Sequence, residues 1–493
     1  MKKYLLEIIV FICGAVVMIL ELAGSRVMAP YLGTSLIVWS SLIGLILGAL
    51  SFGYWWGGKI ADKLPNWKTF SGIIFLAAIF IGLTAIFKEP ILITLQEIIK
   101  NIRTNSIVST CILFVPASLM LGMVSPYAVR LKIHDVQNSG KTVGNLYAIS
   151  TLGSIFGTFL AGFYLLATFG TTKILYILAI SLIVVSIASF SKAELKAKIT
   201  TIVILICFGS FSSAIQIFAA QRGLVDTDSA YQRIQIFDGE YQDTNREARF
   251  LRTDNFSTQS GMFLDGDDLV FEYTKFFDLH KYLNPDAKNA LMIGGAAYTY
   301  PRHFLQTTSG TKMTVAEIDP KITELAKKYF RLTDDPRIRI VHEDGRVFLN
   351  RNEEKFDLIF GDAFKSFSPP HQLTTKEAVE KMYNSLSDDG IALVNIISAI
   401  DGDKGEFLRA EYKTYKSVFP DVQLFTVRKT DSGFRVQNLI IVAMKKPRVD
   451  WNSDDAQMAT LLSYRWIKPI GDDLPVLTDD FAPTDNYLLK LID

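Results

Sequence analysis

Residues 291 to 302, Leu-Met-Ile-Gly-Gly-Ala-Ala-Tyr-Thr-Tyr-Pro-Arg, run from an apolar stretch into a glycine pair and then into a helical pattern. About twenty residues later a second apolar run ends in acid, Val315-Ala-Glu317-Ile-Asp319, the spacing at which a nucleotide-binding sheet sets a carboxylate against a ribose. Two further runs end the same way, Ile338 to Asp344-Gly345 and Phe356 to Asp362. Open α/β sheets bind ligands at the carboxyl edge of their strands, so these acids would share one rim. A glycine turn alone is a weak signal. Four strand-edge signals in this order point to a nucleoside site.

The elements that must position these residues follow from the patterning. From Asn289 to about Lys445, strand-like runs alternate with helical ones such as Lys321 to Arg331 and Thr375 to Leu386, which predicts a parallel sheet. Thr374 with Glu377 forms a capping pattern ahead of the second helix. Upstream, after a polar connection from Gln221 to Ser229, the alternation from Tyr231 onward and further strand-like pieces to Leu264 predict a small antiparallel lobe.

The first 220 residues are of another kind. Apolar stretches near 5–25, 36–57, 69–87, 107–128, 143–169, 171–190 and 199–219 each approach the roughly 20 residues that cross a bilayer. About seven spans are expected, and Ile91 to Ile102 is expected to be interfacial. Gly44 with Gly48, Gly53 with Gly57, and Gly153 with Gly157 have the spacing that lets helices approach closely. Glu21 and Arg26 lie in or at the end of the first span, where charge is costly unless paired or wetted, so they are expected to pin helices or to meet substrate. Lys2, Lys3, Lys59, Lys63, Lys68, Arg130, Lys132, Lys141, Lys192, Lys196 and Lys198 would share one side, cytoplasmic by the positive-inside rule. Seven spans would then place the remainder outside the cytoplasm, in conflict with the cytoplasmic location expected for an adenosyl-dependent domain.

The expected fold is therefore an α-helical multi-spanning membrane domain (1–220), a small antiparallel β lobe (221–288), a Rossmann-like, methyltransferase-like nucleoside-binding catalytic domain (289–450) and a C-terminal tail packed on it (451–493). A formal net charge of +1 gives no reason to expect nucleic acid as a partner. Cys13, Cys111 and Cys207 are far apart in apolar segments and imply no disulfide framework. His134, His280, His303, His342 and His371 show no metal-ligand spacing, so no metal is expected.

At these residues the chain resembles spermidine synthase and the other polyamine aminopropyltransferases, and more closely their membrane-fused relatives, over roughly residues 228 to 445. The matching pieces are Ser229-Ala-Tyr-Gln232, Ile293-Gly-Gly295, Glu317-Ile-Asp319, Asp344-Gly345, Asp357 to Asp362, and Ser387-Asp-Asp-Gly390 with the strand Ile391 to Ile397. The segment from Glu21 to Gly33, ELAGSRVMAPYLG, and the tail Leu477-Thr-Asp-Asp-Phe-Ala-Pro483 resemble the membrane-fused branch specifically. The resemblance implies decarboxylated S-adenosylmethionine or S-adenosylmethionine as cosubstrate, an amine acceptor, release of 5′-methylthioadenosine and no tightly bound cofactor. It implies that Glu317 accepts the ribose hydroxyls, Asp344 receives the adenine amino group, Gly294, Gly295 and Gly345 admit the nucleoside, Gln232 contacts it, and Asp362 is the base. Tyr273, Lys365 and His371 would line the acceptor side or its lid, Ser366 to Pro370. The lipid bilayer is an expected partner, and a homodimer is open to such a chain.

Departures from the pattern bear on substrate. Ala296 and Ala297 stand where the family carries glycine and an acid for the donor amine. Lys365 stands near an acceptor-binding acid, and Thr274 and Lys275 replace a histidine and a glutamate. An amine site that loses acids and gains lysines suits a polycation poorly. Methyl transfer, or cyclisation of the sulfonium substrate without an acceptor, keeps the same nucleoside site, and a nucleoside-sensing transport or signalling module would use it without chemistry. Asp267 and Asp268 read as a solvated turn, and Asp479 and Asp480 as turn formers in the tail.

Overall fold

The computed structural model describes residues 4–133, 139–189, 199–201, 203, 225–241, 243–253, 258–363, 369–429 and 432–491. The chain divides into two compact units, Met1–Arg233 and Ile234–Asp493.

In the first unit the apolar runs form helices, because a chain shielded from water must satisfy its backbone groups internally. Among the described residues, five helices are long and apolar enough to cross a membrane: Leu5–Leu32, Leu36–Lys63, Trp67–Ile98, Ser139–Thr168 and Thr171–Ala188. A sixth span results if the pair Ile102–Leu113 and Val115–Lys132, bent by 51°, counts as one. The break falls just before Pro116, which has no backbone N–H to continue the ladder. The run expected at 199–219 lies almost wholly outside the described residues. Residues 91–98, expected to lie at the interface as a separate piece, instead prolong the helix Trp67–Ile98 through Pro90. At 1.5 Å per residue this 32-residue helix is longer than the roughly 30 Å apolar layer, so its polar end needs no separate segment.

Two of the three glycine pairs make the expected close contacts. A Cβ at Gly153 would lie 2.0 Å from the Phe11 carbonyl oxygen, and one at Gly157 2.4 Å from that of Ala15. Gly53 and Gly57 approach Leu119 and Met123 in the same way, whereas Gly44 and Gly48 face open space. Arg26 donates to the carbonyls of Ser229 and Ala230, so its charge pins the turn that follows the short strand β1, Val225–Asp228.

The second unit begins with the antiparallel meander β2 (Arg233–Tyr241), β3 (Arg246–Arg252) and β4 (Thr258–Phe263). The seven strands that follow are β5 (Asn289–Ile293), β6 (Lys312–Ala316), β7 (Ile338–Val341), β8 (Phe356–Gly361), β9 (Leu386–Ser398), β10 (Asp421–Thr426) and β11 (Gln437–Met444). Their order is β10-β11-β9-β8-β5-β6-β7, parallel from β7 through β9, with β11 antiparallel to both its neighbours. The strand order reverses between β5 and β8, and a ligand crevice opens at such a switch point.

The central strands are largely apolar because both faces are covered. In β8, Ile359 joins the core formed with Val379, Met382, Phe407 and Leu408 of the helices Lys376–Ser385 and Glu406–Lys416. Its neighbour Phe360 packs edge-on to Tyr300 and Phe304 and tilted against Phe277. The segment Ser387 to Gly390 lies within β9, where the register against β8 slips between Leu386 and Ile391. The helix cap expected at Thr374 falls one residue later: Thr375 Oγ1 accepts from the Ala378 amide, and Glu377 instead accepts from the Asp479 amide. The tail belongs to this unit, and Leu488 is buried in its core.

Candidate active site

The glycine turn after β5 is shaped by close approach. Gly294 has φ +92°, and a Cβ there would sit 2.5 Å from the Asp362 carbonyl oxygen, so β5 and β8 can splay around the crevice only with glycine at this position. Ala296 and Tyr298 also have positive φ, 43° and 57°. This strain is held by side chains. Tyr298 Oη lies 2.7 Å from Thr323 Oγ1, which meets His342 Nε2 at 2.9 Å.

Glu317, 7% exposed at the end of β6, gathers the turn. Its Oε2 accepts from the amides of Gly295 (2.8 Å) and Ala296 (3.2 Å), and its Oε1 accepts from the Asp319 amide (2.9 Å). Burial pushes its pKa up and these three donors pull it back. One lone pair on Oε1 remains for a ligand hydroxyl. Asp344 caps the helix Gly345–Arg351, its Oδ1 accepting from the amides of Arg346 and Val347, while its Oδ2 accepts from Gln372 Nε2 at 3.2 Å. Gly345 is required by packing, since a Cβ would lie 2.4 Å from Ile293 Cγ2.

Asp362 follows β8. Tyr273 Oη donates to its Oδ2 at 3.0 Å, and Asn395 Nδ2, from β9, donates to its Oδ1 at 2.9 Å. The Asn395 amide is itself oriented, because its Oδ1 accepts from Asn438 Nδ2 at 3.0 Å. Burial raises the Asp362 pKa to about 6, with the Asn395 and Tyr273 hydrogen bonds acting in the opposite sense. The same burial and the neighbouring carboxylate push the Tyr273 hydroxyl well above its ordinary value, so it stays a donor. Asp362 and Tyr273 line a narrow cleft with Ser260, Gly295, Ala296 and Thr299 on its walls. A carboxylate that titrates near neutrality at the rim of such a cleft can both attract an ammonium group and take its proton.

The structure thus brings Gly294, Gly295, Glu317, Tyr273 and Asp362 around one crevice, with Asp344 and Gly345 at the head of the next helix. Gln232 lies in the first unit, its carbonyl accepting from the Ser229 amide at 2.8 Å. Ala297 is fully buried. His371 is exposed and opens the single turn His371–Leu373. Lys365 and most of the lid segment lie outside the described residues. Asp267 is more than a solvated turn residue: it accepts from Arg302 at 2.6 Å and Arg331 at 3.2 Å.

Sequence reasoning missed three groups. Asn395 sits mid-strand without a motif of its own. Arg346 links the Asp344 helix to the tail, donating to the Gln372 carbonyl and Thr375 Oγ1 at 3.0 Å and to Asp479 Oδ2 at 2.7 Å. Asp278 gathers His303 (2.9 Å) and Lys281 (2.8 Å) beneath Tyr300. Only the arginine directly after Asp344-Gly345 offered a signal.

Strand order and connectivity define a Rossmann-like domain of the methyltransferase type. The chain belongs to the spermine/spermidine synthase family, whose spermine/spermidine synthase domain matches residues 274–436. A polyamine aminopropyltransferase of Clostridium perfringens (strain SM101) is 30% identical over 189 residues, 36% of this chain and 67% of that protein. One from Clostridium beijerinckii is 33% identical over 148 residues, 29% of this chain and 51% of that protein. The chain thus spans between about half and two thirds of the length of these curated relatives. Among solved structures, a probable spermidine synthase from Corynebacterium glutamicum aligns with a TM-score of 0.43 at 21% identity, over 48% of this chain and 85% of that one. Spermidine synthase from Thermotoga maritima aligns at 0.36 and 24% identity, over 45% and 73%.

Proposed function

We propose that this protein is a membrane-anchored, spermidine synthase-like transferase that moves an aminopropyl-type group from an adenosyl sulfonium donor to an amine and releases 5′-methylthioadenosine. The reading rests on one observation above all: Asp362 stands at the switch point with hydrogen bonds from Tyr273 and Asn395 on its two carboxylate oxygens, and burial raises its pKa to about 6. The acceptor ammonium loses a proton to Asp362, its nitrogen attacks the carbon beside the sulfonium, and the carbon–sulfur bond breaks with its electron pair going to sulfur. Glu317 and Asp344 receive the ribose and the adenine, Gly294, Gly295 and Gly345 keep the crevice open, and Gln232, Tyr273, Lys365 and His371 contact donor or acceptor.

The donor is decarboxylated S-adenosylmethionine or S-adenosylmethionine itself. Ala297 at the position of the family's donor-binding acid, with Lys365 at an acceptor-binding one, favours a ligand that carries its own carboxylate. We place the second unit on the cytoplasmic side, with the lysine-rich loops, which requires an even number of crossings before it.

Incubation of the purified full chain with each donor, with and without putrescine, followed by nucleoside chromatography, tests the reading. Methylthioadenosine formed only with an amine supports it. S-adenosylhomocysteine would indicate methyl transfer, methylthioadenosine without acceptor would indicate cyclisation, and unchanged donor would leave a binding module.

A further inference from the structure

Asparagine is a poor strand former, yet Asn395 and Asn438 stand on the adjacent strands β9 and β11, with Ile396, Leu439 and Ile440 buried beside them. Asn395 is itself 4% exposed. Sheet register sets the two in line with Asp362. Gly361, just before Asp362, pairs with Val394 of β9, so Asp362 and Asn395 come next on their two strands. Asn395 in turn pairs with Ile440 of β11, which leaves Asn438, two residues earlier, as its diagonal neighbour on the same face. The result is a row across the sheet: Asn438 Nδ2 donates to Asn395 Oδ1 at 3.0 Å, and Asn395 Nδ2 donates to Asp362 Oδ1 at 2.9 Å.

The end of this row dictates its direction. An ionised carboxylate only accepts, so the buried Asn395 amide must turn its NH2 group to Asp362, and its carbonyl then needs a donor. The same amide turned by half a rotation keeps its shape but sets carbonyl against carboxyl, which suits only the protonated acid. Asn438 supplies the donor that holds the first orientation. We propose that Asn438 is a positioning residue for the transfer reaction, acting through Asn395 to keep Asp362 in its proton-accepting form. The proposal rests on the reading of Asp362 as the base. It agrees with the balance at that carboxyl group, where burial raises the pKa to about 6 and the Asn395 hydrogen bond is the larger of the two opposing it. Among the described residues, the titratable groups set against the row are Tyr273, which donates to Asp362 Oδ2, and Glu411 and Tyr415 of the helix Glu406–Lys416, which line the small space beside Asn395. Burial raises the pKa of Glu411 and of Tyr415, which favours their uncharged forms.

The test is the pH profile of methylthioadenosine release by the detergent-solubilised full chain, given S-adenosylmethionine or its decarboxylated form with putrescine. Asn438→Leu removes the donor at similar volume, and Asn438→Asp replaces it by an acceptor that draws the Asn395 NH2 group away from Asp362. The acid limb of kcat/KM should move to higher pH by about half a unit to one unit in the first, the size of one hydrogen bond, and further in the second. Rates at pH 6 should fall several-fold while rates at pH 8 stay within about twofold of the parent, a split that a general loss of packing does not produce. In an Asn395→Leu background, which lacks the middle member, Asn438→Asp should move the limb no further. A limb that stays at the parental pH in both Asn438 variants overturns the proposal, as does an equal further shift in the Asn395→Leu background, which would mark a charge acting through space. If Asn438→Asp does not unfold cooperatively, the limb of Asn438→Leu decides. Failure of the underlying reading is distinct: no methylthioadenosine from the parent, or parental turnover in Asp362→Asn, removes the base and this proposal with it.

Discussion

Tyr273 and Asp362, 89 positions apart, meet through a 3.0 Å hydrogen bond in which the phenol donates to the carboxylate. The donor comes from the short helix Glu272–Lys275 after the β meander, and the acceptor from the end of β8. The bond favours the ionised carboxylate, while burial disfavours it and sets the value near 6.

The first prediction is a pH profile. Because the base must be ionised, kcat/KM should rise about tenfold per pH unit below about 6 and level off above it. Asp362→Asn should lower turnover by about 10²-fold or more with nucleoside binding nearly intact. Turnover at the parental rate would make Asp362 structural.

Tyr273→Phe removes one of the two donors that hold the Asp362 pKa down. The acid limb should therefore move to higher pH, and activity at pH 6 should fall more than activity at pH 8. A loss of about 1 kcal/mol, several-fold in rate, is the expected size. A variant with reduced rate and an unmoved limb would assign Tyr273 to packing alone.

Acid stability carries two opposed terms. His280, 3% exposed, is held near 4 by burial, so it takes up its proton more readily unfolded, and stability drops as pH falls from 6.5 to 4. Asp362 is raised, so its contribution runs the other way between about 4 and 6. Each amounts to about 3 to 3.5 kcal/mol at most, at 1.36 kcal/mol per pKa unit. Asp362→Asn should consequently steepen acid unfolding over pH 6.5 to 4, read by denaturant midpoints, and an unchanged pH slope would contradict this balance.

Glu317→Ala strips three backbone amides of their acceptor. A stability loss of about 2–4 kcal/mol is expected. Saturating methylthioadenosine, at about 100 times its dissociation constant, should stabilise the parent by roughly 2.7 kcal/mol. That shift should vanish in the variant, and its persistence in a thermal scan would detach Glu317 from the nucleoside.

Asp479→Ala releases Arg346 and Thr375, which Asp479 holds at 2.7 and 2.6 Å. Gln372 and Asp344 should lose their alignment, and methylthioadenosine affinity should drop by about three- to tenfold, near 1 kcal/mol. Arg346→Lys in the parent should weaken affinity in the same direction, because lysine cannot reproduce the two-pronged contact with Asp479. Unaltered affinity in Asp479→Ala would confine the tail to fold stability.

Much of the fold follows from the sequence alone because its signals are local. Apolar runs of about 20 residues mark spans whatever surrounds them. The glycine pair, the acid at Glu317 and the alternation of strand and helix set the order β5, β6, β7 and β8, since each depends on a few neighbouring residues. What tertiary structure decided is pairing at long range. Nothing near Asn395 announces that β9 carries it to Asp362, nor that Asn438 on β11 turns its amide. The three amides on Glu317 likewise come from the folded turn, which is why a residue legible as a ribose ligand also serves as the clamp of its own loop. Ser387 to Gly390 sits within β9 where Leu386 pairs with Phe356 and Ile391 with Leu358, a slip of register that only the assembled sheet reveals. Glu411, by spacing one more acid on an amphipathic helix, is buried only because the sheet and the helix Lys376–Ser385 close around it. Burial is a property of the assembled layers, and the pKa of a carboxyl group follows burial more than it follows sequence.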